Sequence, residues 1–237
     1  MNKTTKASLA ALIGLSFMLA PLVLKAEEKG RGVTPFNGKN LDGWKLKREQ
    51  GSKWTVGTAK MDPANNGALA VSAAGKTAEL INTGGGGVDI YTAATFGDCT
   101  VDLEVMVPKG SNSGVYLQGN YEVQVLDSYG KQKVGAGDIG GLYGAAAPRT
   151  NAAKPPGEWQ RFVIEFQAPR FKDGKKVSHA LFKKVTLNGT LIHENVEIKS
   201  PGGGNLGGGE KPAGPLMFQG DHGPVAYRNI KIIVPSN

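Results

Sequence analysis

The sequence predicts an all-β domain on three grounds: short apolar segments that alternate with polar residues, turn residues between those segments, and no long helical periodicity. Glycine supplies 35 of the 237 residues, as suits a chain that turns often. Segments of this length and spacing read as an antiparallel sandwich or barrel.

The clearest strand runs from Cys99 to Val107. Cys99, Val101, Leu103, Val105 and Val107 point one way, and Thr100, Asp102, Glu104 and Met106 point the other. After a turn at Pro108 to Asn112, strands are expected at Ser113 to Gln118 and Tyr121 to Leu126, around Gly119-Asn120, forming a meander with the first. In the third strand Tyr121, Val123 and Val125 share one face, leaving Glu122, Gln124 and Leu126 on the other. Glu104 and Glu122 are thus each offered on a polar strand face.

Trp159 to Phe166 alternates again, and Phe182 to Leu187 joins Thr190 to Val196 through Asn188-Gly189, a strong hairpin signal. The last strands are expected at Pro215 to Phe218 and Val225 to Val234. The apolar phase of the final one changes between Tyr227 and Ile230, which predicts a bulge or a change of packing partner. Gly84 to Gly87 and Gly202 to Gly209 read as flexible surface loops. Neither is followed by the Lys-Ser/Thr pair and helix of a phosphate cradle. Trp44, Trp54 and Trp159 are expected in the core, and His193 at an ordinary strand position.

The first residues read as an export signal over 1–26: Lys3 and Lys6 open it, an apolar run extends from Ala7 to Leu24, and Ala26 offers a cleavage point. A linker over 27–35 and one domain over 36–235 are expected to follow. No membrane attachment is expected once the signal is removed, and the protein is expected to be periplasmic or secreted. Cys99 is the single cysteine. It excludes an intrachain disulfide and a lipid-anchored cleavage point, and it reads as core.

The formal charge is +8, which falls to +5 without Lys3, Lys6 and Lys25. The cations are scattered among acids with no basic stripe and interleaved aromatics, so nucleic acid is not expected as a partner. His179, His193 and His222 do not stand at metal-ligand intervals, and no Gly-x-Ser-x-Gly elbow occurs. No cofactor is expected. A divalent cation such as calcium is left open, although no Asp/Asn-rich calcium loop is visible.

Polar and aromatic groups concentrate from Asn112 to Tyr143, with Glu122, Gln124, Asp127 and Tyr143, and again at Asp221-His222-Gly223. On one face of a sheet such groups bind sugar hydroxyls and ring faces. Each has a plainer reading: Asp102 and Glu104 as the solvated side of a half-buried strand, Asp127-Ser128 as a strand-end turn, His222 as a loop residue. Histidine's ordinary titration near neutrality suits proton transfer.

Five ordered blocks carry a family resemblance: Phe36-Asn37-Gly38-Lys39-Asn40-Leu41-Asp42-Gly43-Trp44, Asn112-Ser113-Gly114-Val115-Tyr116-Leu117, Tyr121 to Ser128, Asn151 to Trp159, and Asp221-His222-Gly223-Pro224-Val225-Ala226-Tyr227-Arg228-Asn229-Ile230. From about Phe36 to Val234 the chain resembles the 3-keto-disaccharide hydrolase domain family. The resemblance implies a concanavalin A-like jelly-roll sandwich of two antiparallel sheets with a concave carbohydrate site. It also implies exported proteins acting on glycosides already oxidised to a ring ketone. Glu104, Gln118, Glu122, Gln124, Asp127, Tyr143 and His222 fall at the family's polar concave-face positions. Gln118 departs from it, since many members carry arginine there.

A ring ketone acidifies the neighbouring C–H, so a base can remove that proton and expel the glycosidic oxygen, after which water adds back. His222 or Glu122 is the candidate base, Asp127 or Glu104 the partner acid, and Tyr143 or Gln124 the donor to the enolate oxygen. Gln118, Asn112 and Asp221 complete the expected substrate contacts. Direct displacement by paired carboxylates, a non-catalytic sugar-binding module and a structural protein with a vestigial groove are the competing readings.

Overall fold

Cys99, Val101, Leu103 and Val105 are all buried, while Thr100, Asp102 and Glu104 stand partly exposed on the opposite face of their strand. This is the alternation expected of a strand with one face against a core. The structure, a computed structural model, describes Met1, residues 30–75 and residues 78–236. Apart from Met1, the expected export signal lies outside the described residues. The expected linker over 27–35 is corrected in part, because Gly30–Val33 is a strand hydrogen-bonded to the end of the chain.

Sixteen strands occur among the described residues. The first six are β1 (Gly30–Val33), β2 (Trp44–Leu46), β3 (Trp54–Asp62), β4 (Asn65–Ser72), β5 (Glu79–Asn82) and β6 (Ile90–Thr92). Next come β7 (Cys99–Met106), β8 (Asn112–Leu117), β9 (Tyr121–Leu126), β10 (Gln160–Gln167), β11 (Arg170–Lys172) and β12 (Lys175–Ser178). The last are β13 (Ala180–Leu187), β14 (Thr190–Ile198), β15 (Met217–Phe218) and β16 (Val225–Pro235).

A nine-stranded sheet runs in the order β14-β13-β10-β7-β16-β5-β3-β4, with β1 added to β16. A five-stranded sheet runs β2-β6-β15-β8-β9, and every pairing in both is antiparallel. The two sheets face each other as a jelly-roll sandwich.

The expected meander of β7, β8 and β9 is corrected. Only β8 and β9 pair; β7 belongs to the larger sheet between β10 and β16, so the turn after Val107 carries the chain from one sheet to the other. The Asn188-Gly189 hairpin forms between β13 and β14 with φ of 53° and 82°, the left-handed pair that an Asn-Gly turn supplies. In β16 the register shifts between Arg228 and Lys231, with Asn229 at φ 52°, at the point where the apolar phase changes in sequence.

The inner faces of the sheets supply the core, including Leu103, Val105, Phe162, Ile164 and Phe182 from the larger sheet and Val115, Leu117, Tyr121, Val123 and Val125 from the smaller. Phe218 joins them by stacking on Tyr227 of the opposite sheet at 3.9 Å between centroids and on Trp44 at 5.4 Å. Such contacts contribute roughly 0.5–1.5 kcal/mol each beyond their burial. The Ser113 hydroxyl donates to the Gln219 carbonyl (2.7 Å), so the Tyr227 hydroxyl donates to Ser113 Oγ (2.8 Å). This polar link fixes β8, β15 and β16 against one another.

Trp44 and Trp54 are buried as expected, but Trp159 is not in the sandwich core. It lies partly buried on a second cluster of Ala59, Leu69, Ile81, Met106 and Ala226, with the Arg228 guanidinium 4.0 Å above its ring. Met106 is buried in that cluster, so the outer face of the larger sheet is apolar at that point. Burial pushes the Cys99 thiol up to about 12, in keeping with a core residue.

Candidate active site

In β8 and β9 the residues opposite in register are Gly114 with Gln124 and Tyr116 with Glu122. Ser113, Val115 and Leu117 point inward with Tyr121, Val123 and Val125, and period-2 alternation therefore sends Asn112, Gly114, Tyr116, Glu122 and Gln124 to the outward face of the smaller sheet. That face is not open to solvent. The turns around Tyr143 and the glycine-rich stretch 202–209 fold over it. Tyr143 N–H donates to the Glu122 carbonyl, Gly202 N–H to the Asn120 carbonyl and Leu206 N–H to the Gly119 carbonyl.

Beneath these turns is a cavity of about 170 Å³ lined by Asn112, Tyr116, Glu122, Gln124, Tyr143, Gly203, Gly204, Gln219 and His222. Glu122 is 5% exposed, and it is the one carboxylate lining the cavity among the described residues. Burial pushes its pKa up to about 7 against the pull of the Tyr116 hydroxyl and of His222, and the charges of Asp89 and Asp221 raise it further. A carboxyl at that value exchanges a proton readily at neutral pH.

The groups around it are unevenly paired. Asn112 Oδ1 and Gln219 Oε1 are buried without a hydrogen-bond partner among the described residues. A polar ligand can satisfy such atoms. Gln124 Oε1 accepts from the Val125 N–H (3.0 Å), and its Nε2 has no partner among the described residues. Tyr116 donates to the Gly203 carbonyl (3.3 Å) and accepts from Gln219 Nε2 (3.4 Å). Gly204, at φ 71°, lies where a Cβ would crowd the Tyr116 hydroxyl. At the rim, His222 Nδ1 and Asp221 Oδ1 are 2.5 Å apart, both side chains well exposed.

Five of the residues expected from sequence therefore meet in one cavity: Asn112, Glu122, Gln124, Tyr143 and His222. Asp221 adjoins it through His222. Three lie elsewhere, and their expected roles are corrected. Glu104 is on the outer face of the larger sheet, where its Oε2 accepts from Arg228 Nε (2.6 Å) and Asn229 Nδ2 (2.9 Å). Its strand phase matches that of a site residue, but its strand belongs to the other sheet. Asp127 closes the strand-end turn, accepting from the Gly110 and Tyr129 N–H groups at 3.0 and 3.3 Å. Gln118, at φ 56°, turns away from the cavity and donates to the Phe96 and Pro212 carbonyls.

Tyr116, Gln219 and the Gly203-Gly204 backbone are cavity groups that the sequence reading passed over. Tyr116 is in phase with Asn112 and opposite Glu122, a signal present in the strand alternation. The stretch 202–209 is a surface loop, as expected, and its Gly203-Gly204 backbone also roofs the site. Among the described residues no group of three or more His, Cys, Asp or Glu side chains is placed to hold a metal ion.

The model of the 3-keto-alpha-glucoside-1,2-lyase-like domain matches residues 32–233. The chain belongs to this family. A candidate glycosyl hydrolase from Parabacteroides distasonis ATCC 8503 is 27% identical in sequence, with 86% of this chain and 83% of that one covered and a TM-score of 0.65. A second candidate glycosyl hydrolase from the same organism is 21% identical over 90% of this chain and 99% of that one, with a TM-score of 0.58, and shares the fold. No curated protein sequence matches the chain. Asn112, Tyr116, Glu122, Gln124, Gln219 and His222 all fall inside the segment that the family model spans.

Proposed function

We propose that the protein is an exported enzyme that cleaves 3-keto-glycosides, disaccharides among them, by elimination followed by hydration. The observation that carries this reading is Glu122, a buried carboxyl that is the one carboxylate lining a polar cavity among the described residues, pushed up to about 7. Displacement at a glycosidic carbon calls on two carboxyl groups flanking the bond. Elimination next to a ketone calls on one base, one acid and donors for the enolate oxygen.

In this mechanism the Glu122 carboxylate removes the proton from C2, beside the C3 ketone. The C2–H electron pair forms the C1–C2 double bond, and the C1–O bond breaks toward the leaving sugar. His222, its Nδ1 held by Asp221, delivers a proton to the leaving oxygen. Gln124 Nε2 and the Tyr143 hydroxyl face the developing charge on the ketone oxygen, while Asn112 Oδ1 and Gln219 Oε1 accept from ring hydroxyls. Water then adds across the double bond: His222 takes a proton from the water as its oxygen bonds to C1, Glu122 returns its proton to C2, and the 3-keto sugar is released.

The competing reading is a non-catalytic sugar-binding module. It calls for an open aromatic platform. Tyr143 is 46% exposed, but the carboxyl beside it is buried and poised for proton exchange, which favours the enzyme. The test is to incubate the purified protein with 3-keto and ordinary disaccharides and follow the released sugars. Cleavage of the 3-keto substrates alone, abolished by Glu122→Gln, is expected. Binding of intact 3-keto disaccharides without release would overturn the reading in favour of the module.

A further inference from the structure

Beside the cavity that holds Glu122 is a second one, of about 260 Å³, lined by Lys47, Arg48, Val88, Asp89 and Asp221. The two meet at consecutive residues, His222 lining the first and Asp221 the second. Lys47 ties them together. Its Nζ donates to Asp89 Oδ2 at 3.0 Å and to the carbonyl of Gly204 at 2.8 Å, and Gly204 lines the first cavity. Asp89 is buried and also accepts from the Gly220 N–H at 3.0 Å, so it anchors the segment that leads into Asp221 and His222.

Lys47 and Asp89 are thus paired within the protein, whereas Arg48 and Asp221 are not fully used. A guanidinium carries five N–H donors. The hydrogen bond Arg48 makes among the described residues runs from Nη2 to the Gly87 carbonyl at 3.1 Å. Asp221 engages His222 through Oδ1, and its Oδ2 has no side-chain partner among the described residues. A donor fork and a free carboxylate oxygen on one cavity wall match a ligand whose neighbouring groups both donate and accept. Vicinal sugar hydroxyls do this.

We propose that this second cavity is the subsite for the leaving sugar of a disaccharide substrate, with Arg48 donating to and Asp221 accepting from adjacent hydroxyls of that ring. The inference rests on the reading that the first cavity holds the oxidised ring. Its direction follows from the proton donor: the leaving oxygen lies beside His222, so the ring attached to it extends toward Asp221. A third cavity, of about 480 Å³, shares Tyr143 and Gly203 with the first and includes Glu197 in its wall, and it is the competing location.

The test uses the full-length protein carrying Glu122→Gln to stop turnover. It is titrated calorimetrically with a 3-keto-α-glucosyl disaccharide and with methyl 3-keto-α-glucoside, and then with the unoxidised counterpart of each. The disaccharide is expected to bind about 10-fold tighter than the methyl glycoside, a difference worth about 1.4 kcal/mol. Adding Arg48→Ala should reduce that preference to about 2-fold or less, and adding Glu197→Ala should leave it in place. No preference for the longer ligand, a preference that survives Arg48→Ala, or one lost only with Glu197→Ala overturns the proposal. Failure of the 3-keto reading shows separately, as equal affinity for oxidised and unoxidised ligands of the same length, while the length preference still decides the subsite.

Discussion

Gly114 lies so close against Glu122 that a Cβ added at Gly114 would overlap the Glu122 Oε1 and stand 2.9 Å from the Tyr116 ring. The glycine of the Asn-Ser-Gly segment is therefore there for room, since its own φ is not in the left-handed region. Gly114→Ala is expected to push the carboxyl out of place at an overpacking cost of roughly 1–3 kcal/mol. Turnover of 3-keto disaccharide should fall by about 100-fold, because a misplaced base loses its near-attack geometry. Thermal melting alongside initial rates checks this. A variant that melts a few degrees lower but turns over at the parent rate would show that Glu122 is not the positioned base.

Burial of Glu122 has a consequence for stability with a defined sign. Between its ordinary value of 4.5 and about 7, the unfolded chain has lost this proton while the folded chain retains it. The folded state then binds more protons, so stability falls as pH rises through that window, by roughly 3 kcal/mol for a shift of this size. Glu122→Gln removes the titration. Denaturant unfolding at pH 5 and pH 8 should show the parent losing this increment and the variant keeping it. In the parent, the limb of kcat/KM that reports the base should rise with pH through about 7, as Glu122 becomes ionised.

Two charges act on that titration in opposite directions. Asp89 raises the Glu122 pKa and a positive His222 lowers it. Asp89→Asn keeps an acceptor for the Gly220 N–H but removes the negative charge and frees Lys47, so the rising limb of the pH–rate profile should move to lower pH. His222→Asn should move it to higher pH and, through loss of the proton donor, lower kcat by roughly 10²–10³-fold. Limbs moving in the same direction in both variants would show that Glu122 does not set the profile.

The legibility of this molecule in its sequence divides along the same physical line. Alternation identifies which residues share a face, and it placed Glu122 with Gln124, Val101 with Leu103 and the break after Tyr227 where the structure has them. It does not identify the sheet to which a strand belongs. β7 and β8 are separated by five residues in sequence yet lie in opposite sheets, because β16, from the far end of the chain, pairs with β7. The strands before Cys99 were illegible for another reason. β2 and β6 have only three residues each, and β3 and β4 use Gly57, Ala59, Gly67, Ala68 and Ala70, too small to mark a pattern. That the loop over 202–209 roofs the cavity is not legible, because it acts there through backbone carbonyls, which leave no side-chain signature.

Glu104 offers the sharpest check on the sheet assignment. It has the strand phase of a site residue, and in a meander it would stand near Glu122. In the sandwich it belongs to the outer face of the opposite sheet, held by Arg228 and Asn229, with Arg228 also covering Trp159. Its side chain is 25% exposed and that of Arg228 29%, so solvent reaches the pair and the ion pair contributes modestly, about 1 kcal/mol. Glu104→Gln is expected to lower the melting temperature by a few degrees, to loosen Arg228 from the Trp159 ring, and to leave kcat and its pH profile at the parent values. Tryptophan fluorescence with steady-state kinetics distinguishes the outcomes. A loss of turnover comparable to that of Glu122→Gln would place Glu104 in the chemistry and overturn the separation of the two carboxylates onto different sheets.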